Sequence, residues 1–233
     1  MKDSLDVYVD NRCVGELFIE DEHFIYHYKS VATDKFISLT MPVRDTQYLH
    51  NKLHPLFEMH LPEGYLLSII KKHFSKIEKM DDFNLLKAMS QSVKGRVHYK
   101  QQVFDNTLTL DDLLYSQKEH LFEELVNRFA LYSPISGVQP KVIATIEDKA
   151  SLQCHDFIVK SWGAEYPELA LNEYFCMSVV KEAGVVTPEF YLSDDRKLFI
   201  MKRFDVNDNG AYLGFEDMCV LQAKGREDKY EGS

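Results

Sequence analysis

Cysteine is sparse and scattered: Cys13, Cys154, Cys176 and Cys219 form no C-x-x-C and no short Cys/His pairing of the kind zinc sites use. That excludes the usual zinc-ligand spacings, so no metal ligands are expected, and it points to reduced thiols in a cytosolic protein. No run of about 18 apolar residues occurs, which excludes a membrane-spanning helix. The first residues, Met1-Lys2-Asp3-Ser4-Leu5-Asp6, carry acid where a signal peptide needs an apolar segment. A soluble, cytoplasmic chain with no membrane partner is expected. Basic excess is missing too. The net charge is -10, with 14 basic and 14 acidic side chains in residues 1–100 against 13 and 23 in 101–233. This argues against broad DNA binding by the second half, which would need a clustered basic face. Internal repeats and low-complexity runs are also absent.

What is present is 233 residues, enough for one domain or two. Leu5 to Val9, Cys13 to Ile19 and Phe24 to Tyr28 alternate as strands with a turn near Asn11-Arg12, so an antiparallel sheet is predicted to about residue 40. Helical spacing follows over 53–60 and 62–74, and Asp81-Asp82 is suited to start another helix through Phe83, Leu85, Leu86 and Met89. Arg96 to Tyr99 reads as a short strand. Leu110 to Leu131 carries one long helical stripe through Leu113, Leu114, Leu121, Leu125 and Phe129. Beyond it the order is loop, two strands to Lys160, a helix from Pro167 closed by Ala183-Gly184, and a hairpin of 190–192 with 198–202 turning through Asp194-Asp195. The fold class expected is α+β.

The stretch with the most chemistry is Ser133-Pro134-Ile135-Ser136-Gly137-Val138-Gln139-Pro140-Lys141, followed by strand-like 141–146 and by Phe157-Ile158-Val159-Lys160. A small-residue turn lets backbone N–H groups form a nest for an anion. Lys160, ending an apolar strand, presents a point charge beside it. The pattern is neither of the common glycine-rich phosphate signatures. On residues alone, an ordinary Ser/Pro/Gly loop with a solvated lysine stands as the alternative.

The run Ser-Gly-Val-Gln-Pro-Lys at 136–141 resembles the signature loop of the HipA family, Ser/Thr protein kinases that act as toxins in type II toxin–antitoxin modules. Phe157 to Lys160, Asn172 to Cys176, Lys202-Arg203-Phe204-Asp205, and Phe215 to Cys219 with Lys229-Tyr230 are similar to later family segments in the same order, and Leu61 to Tyr65 to its N-terminal part. The resemblance implies a HipA-type N-terminal subdomain over 1–105, a connecting helix over 106–131, and a kinase-like N-lobe over 132–233. It implies ATP with Mg²⁺ as ligands. ATP would meet Ser136, Gly137, Val138, Gln139, Pro140 and Lys141 in the loop, Lys160 on the strand, and a hinge contacting adenine through the backbone at Lys202 and Phe204. Glu173 is the acid implied to position Lys160. Many members carry an acid where Lys202 stands, which bears only on a side-chain contact.

Phosphoryl transfer also needs a base and metal-holding acids. In the family these lie beyond the Lys-Tyr segment, and here Tyr230 is followed by three residues. The expectation is therefore that the C-lobe is absent, that no catalytic residue is contained, and that the chain alone is inactive. Ser133 and Ser136 match the place of a family autophosphorylation site. They equally suit a turn cap and a small loop residue. Implied partners are a HipB-like helix-turn-helix antitoxin, DNA only through that antitoxin, an aminoacyl-tRNA synthetase as target, and a separate C-lobe-bearing chain. The competing expectation is a non-catalytic binding or regulatory subunit acting on a separate kinase chain or antitoxin. An apolar patch of Phe215, Met218, Val220 and Leu221 left exposed would favour a missing partner.

Overall fold

Strands β1 (Ser4–Val9), β2 (Arg12–Glu20) and β3 (His23–Tyr28) are joined by two-residue turns, Asp10-Asn11 and Asp21-Glu22, in which both residues take positive φ. Such turns match the twist of a hairpin, and the first lies one residue earlier than the sequence predicts. With β4 (Tyr48–His50) and β5 (Val97–His98) they make an antiparallel sheet of order β4-β3-β2-β1-β5. The computed structural model describes residues 4–73, 81–99, 108–129, 140–148, 153–162, 167–207 and 209–231. They fall into two units: 1–61, 75–102 and 205–233 in one, 62–74 and 103–204 in the other.

In the first unit, Val7, Val9, Leu17, Phe18 and Tyr26 are buried with Phe57 of α1 (Pro55–Glu58) and with Phe83, Leu86 and Met89 of α3 (Asp82–Met89); α2 (Gly64–His73) belongs to the second unit. As the acids predict, Asp81 caps α3 by accepting from the Asn84 N–H at 2.8 Å. His54 caps α1: its Nδ1 accepts from the Leu56 N–H at 3.2 Å, so Nε2 carries the proton and faces Thr40 Oγ1 at 3.4 Å. Tyr26 lies diagonally across the sheet from Gly15. A Cβ there would collide with the Tyr26 hydroxyl and come within 2.6 Å of the His27 carbonyl.

Residues 205–231 return to this first unit, so its members are not consecutive in the chain. The Glu216 carboxylate accepts from the Ser38 hydroxyl and, at 2.8 Å, from the Leu39 N–H. Arg226 donates its N–H to Glu58 at 2.7 Å, and its guanidinium lies 3.3 Å from Asp82. Asp217 caps α7 (Met218–Leu221) and pairs with Lys229 at 2.9 Å. Burial would raise its carboxyl, but the Cys219 N–H and the Lys229 ammonium outweigh that and hold it below the usual range.

The second unit has a four-stranded antiparallel sheet of order β6-β7-β9-β8, from β6 (Lys141–Asp148), β7 (Gln153–Lys160), β8 (Phe190–Leu192) and β9 (Phe199–Lys202). α6 (Leu169–Glu182) packs Tyr174 edge-on against Phe190, ring centres 5.5 Å apart, and Gly184 at positive φ closes it. The single long helix predicted from Leu110 is instead α4 (Leu110–Leu114) and α5 (Leu121–Phe129). Ser116 Oγ accepts from the Lys118 N–H and the Asp194 N–H takes the Leu114 carbonyl, so the helical ladder is intercepted between them.

Gly15→Ala is expected to cost about 1–3 kcal/mol in urea unfolding, because neither Tyr26, 1 % exposed, nor the strand backbone can give way. Stability is also pH-dependent. Burial, with His50 alongside, lowers His54 from 6.5 to about 4. The unfolded chain therefore binds the extra proton. The His54 contribution is complete above pH 6.5 and declines as pH falls towards 4, by up to about 3 kcal/mol. Because burial lowers His60 to about 4 as well, the His54 share is read as the difference between wild-type and His54→Gln denaturation midpoints across pH 4–7.

Candidate functional site

Strand register decides which side chains of β6, β7 and β9 share a face. Lys141 lies opposite Lys160, and Lys160 opposite Phe199; the next pairs on that face are Ile143, Ile158 and Met201. Thr145 and Asp156 form the third row, and the chain beyond β9 brings Arg203 alongside, its N–H donating to the Asp156 carbonyl at 2.9 Å. The opposite face carries Val142, Val159, Ile200, Ala144 and Phe157, all buried. The first face is mixed: Lys141, Ile158, Lys160 and Met201 are half-buried, whereas Ile143, Thr145 and Phe199 are buried. It is an apolar strip with two lysines at one end, and rows two residues apart give it a length of about 13 Å.

Two ammonium groups directly opposite on a sheet are unfavourable unless an anion is near. Lys160 meets one: its Nζ donates to Glu173 Oε2 at 2.6 Å, each side chain being 20 % exposed. Glu173 is one turn into α6, so the pair ties the helix to the end of β7. The Phe199 ring lies 5.9 Å from the same ammonium. Pro140 is buried, and its carbonyl accepts from the Ser161 N–H at 3.0 Å, which fixes the start of β6 beside the end of β7. Ser133, Ser136, Gly137, Val138 and Gln139 lie outside the described residues.

At the end of β9 the Lys202 N–H is bonded to the Glu189 carbonyl at 2.8 Å. The Phe157–Lys202 pairing is of the non-hydrogen-bonded kind, since Arg203 rather than Lys202 bonds to β7. Among the described residues nothing engages the Lys202 carbonyl or the Phe204 N–H. An acceptor and a donor two residues apart suit the adenine edge, which offers an amino group and a ring nitrogen. The Phe204 ring beside them is 63 % exposed.

Sequence reasoning named Lys141, Lys160 and Glu173 but missed the third row. Its signal is visible in the alternations Lys141-x-Ile143-x-Thr145 and Asp156-x-Ile158-x-Lys160. Of the neighbouring acids Glu216 and Asp217, Asp217 is a helix cap, whereas Glu216 holds Ser38 and Leu39.

Among the described residues no helix is long and apolar enough to cross a membrane. A family model described as the HipA N-terminal domain matches residues 5–100, and one described as the HipA-like C-terminal domain matches 133–233. No curated protein matches. Among solved structures, the chain is similar to a chain of the Shewanella oneidensis MR-1 toxin–antitoxin complex of HipA, HipB and operator DNA. The identity is 21 % and the TM-score 0.60, over 97 % of this chain and 58 % of that one. The present chain thus spans well under two thirds of the length of that relative.

Glu173→Ala is expected to lose about 1–3 kcal/mol in urea unfolding, since it strands a half-buried ammonium. Glu173→Gln, which keeps an acceptor, should lose less. A change below about 0.5 kcal/mol in both would mean that the pair is effectively solvated.

Proposed function

Because the chain belongs to the HipA-like family, we propose that it is the N-terminal part of a toxin Ser/Thr protein kinase. In this reading its second unit is the kinase-like N-lobe that forms the upper half of an ATP·Mg²⁺ site. The observation that carries it is the order along one sheet face: two half-buried lysines, an apolar row partly reached by solvent, and beyond β9 a carbonyl and an N–H with no partner among the described residues. ATP has matching parts, namely phosphates, a sugar and purine, and an adenine edge.

In this site Lys160 holds phosphate oxygens, and Glu173 keeps its ammonium at the end of β7 rather than in solvent. Lys141 adds positive charge on the same face. Ile143, Ile158 and Met201 exclude water beneath the purine. The Lys202 carbonyl and the Phe204 N–H read adenine, and the Phe204 ring covers it. Mg²⁺ when bound would neutralise phosphate charge as the γ-phosphoryl group leaves. Among the described residues no group of three metal-binding side chains is assembled, so no metal ligand is assigned to these residues.

With base and metal-holding acids belonging to the rest of the family architecture, these 233 residues position nucleotide without transferring phosphate. General-base assistance contributes about 10²- to 10⁴-fold, and electrostatic stabilisation commonly more. The partner best supported is a HipB-like antitoxin, from the likeness to the HipA–HipB–operator complex. The acceptor in the intact family is a protein such as an aminoacyl-tRNA synthetase. A C-lobe-bearing polypeptide is the further partner. Phe215, Met218 and Leu221 are exposed, as an unfilled docking edge requires, while Val220 is buried and does not contribute to it.

The purified chain is expected to bind ATP·Mg²⁺ weakly in calorimetry, to lose that binding in Lys160→Ala, and to phosphorylate nothing. Turnover by the chain alone, abolished in Lys160→Ala, would overturn the half-site reading. Binding that Lys160→Ala leaves intact would overturn the site.

A further inference from the structure

The third row of the same face has no part in the chemistry above, and it holds a buried charge pair. The Arg203 and Asp156 side chains are 8 % and 9 % exposed, with Nη1 and Oδ2 4.0 Å apart. Asp156 Oδ1 accepts from Thr145 Oγ1 at 2.7 Å, which orients the carboxylate from the neighbouring strand. Asp156 also grips the same arginine through the backbone, its carbonyl taking the Arg203 N–H. An arginine just past a strand end would ordinarily extend into water, and burying it is tolerated only against an opposite charge.

The position of Arg203 gives this arrangement its consequence. It stands between Lys202 and Phe204, the two residues whose carbonyl and N–H are left open. In extended backbone, successive groups face opposite ways. Holding Arg203 against β7 therefore keeps the Lys202 groups, at the end of β9, directed away from β7, and fixes the point from which the chain bends at Phe204. We propose that Asp156 is a positioning residue for the adenine-reading hinge, with Thr145 holding Asp156 and Asp156 holding Arg203. This rests on the reading of Lys202–Phe204 as that hinge.

The test uses Asp156→Asn, and a double variant Asp156→Leu with Arg203→Met that removes both charges while keeping apolar bulk. Hydrogen exchange of the Lys202 and Arg203 amides is followed by NMR, with thermal unfolding and ATP·Mg²⁺ calorimetry on the same proteins. Asp156→Asn should speed exchange at both amides at least tenfold while the β6–β7 amides keep their protection. The double variant should regain the wild-type melting temperature without regaining the protection at 202–203. Unchanged exchange in Asp156→Asn would overturn the proposal, as would recovery of both stability and protection in the double variant, which is what a merely structural pair would give. If exchange responds as expected but nucleotide binding is indifferent to Lys160→Ala, the failure lies in the nucleotide reading, and the assignment to an adenine hinge falls with it.

Discussion

A 2.6 Å ion pair between Lys160 and Glu173 fixes the end of the sheet face on which the functional reading depends. Lys160 sits opposite Lys141, an unfavourable placement on its own, and the carboxylate from α6 makes it tolerable. With exposure reduced to a fifth, the pair is neither a freely solvated surface bridge nor a sealed one. That intermediate state holds the ammonium in place beside Glu173 while leaving it partly reached by solvent.

From that point the period-2 alternation of β6, β7 and β9 carries the order outward: cationic row, apolar row, then Thr145, Asp156 and Arg203. Each row is set by register, and a slip of one residue would send the lysines into the face that buries Val142, Val159 and Ile200. The buried face thus enforces the exposed one. In the first unit, residues 205–231 are held by polar contacts of Glu216, Arg226 and Glu58 rather than by strand pairing.

Local pattern made much of this legible. The hairpins follow from alternation, α3 from its acids, and the end of α6 from Gly184, because each is decided within a few residues. The break between α4 and α5 was not legible, since the Leu114 carbonyl is taken by Asp194, far along the chain. Val220 was misjudged for a related reason: as part of a helix of four residues, it buries only because residues 205–231 fold back onto the first unit. The Lys160–Glu173 contact joins residues thirteen apart in different elements, and only the order of family motifs anticipated it. Alternation places Asp156 on the face of Lys160, but its burial against Arg203 is not legible, because Arg203 comes alongside from beyond the end of β9.

The most direct measurement is an NMR titration of the labelled chain with ATP·Mg²⁺, observing the Lys160 side-chain ammonium and the Phe204 amide together. The account predicts that both resonances move along one saturation curve, with adenosine alone shifting Phe204 but not Lys160. A folded chain in which neither resonance responds at millimolar nucleotide, or in which both respond equally to free phosphate, would contradict it.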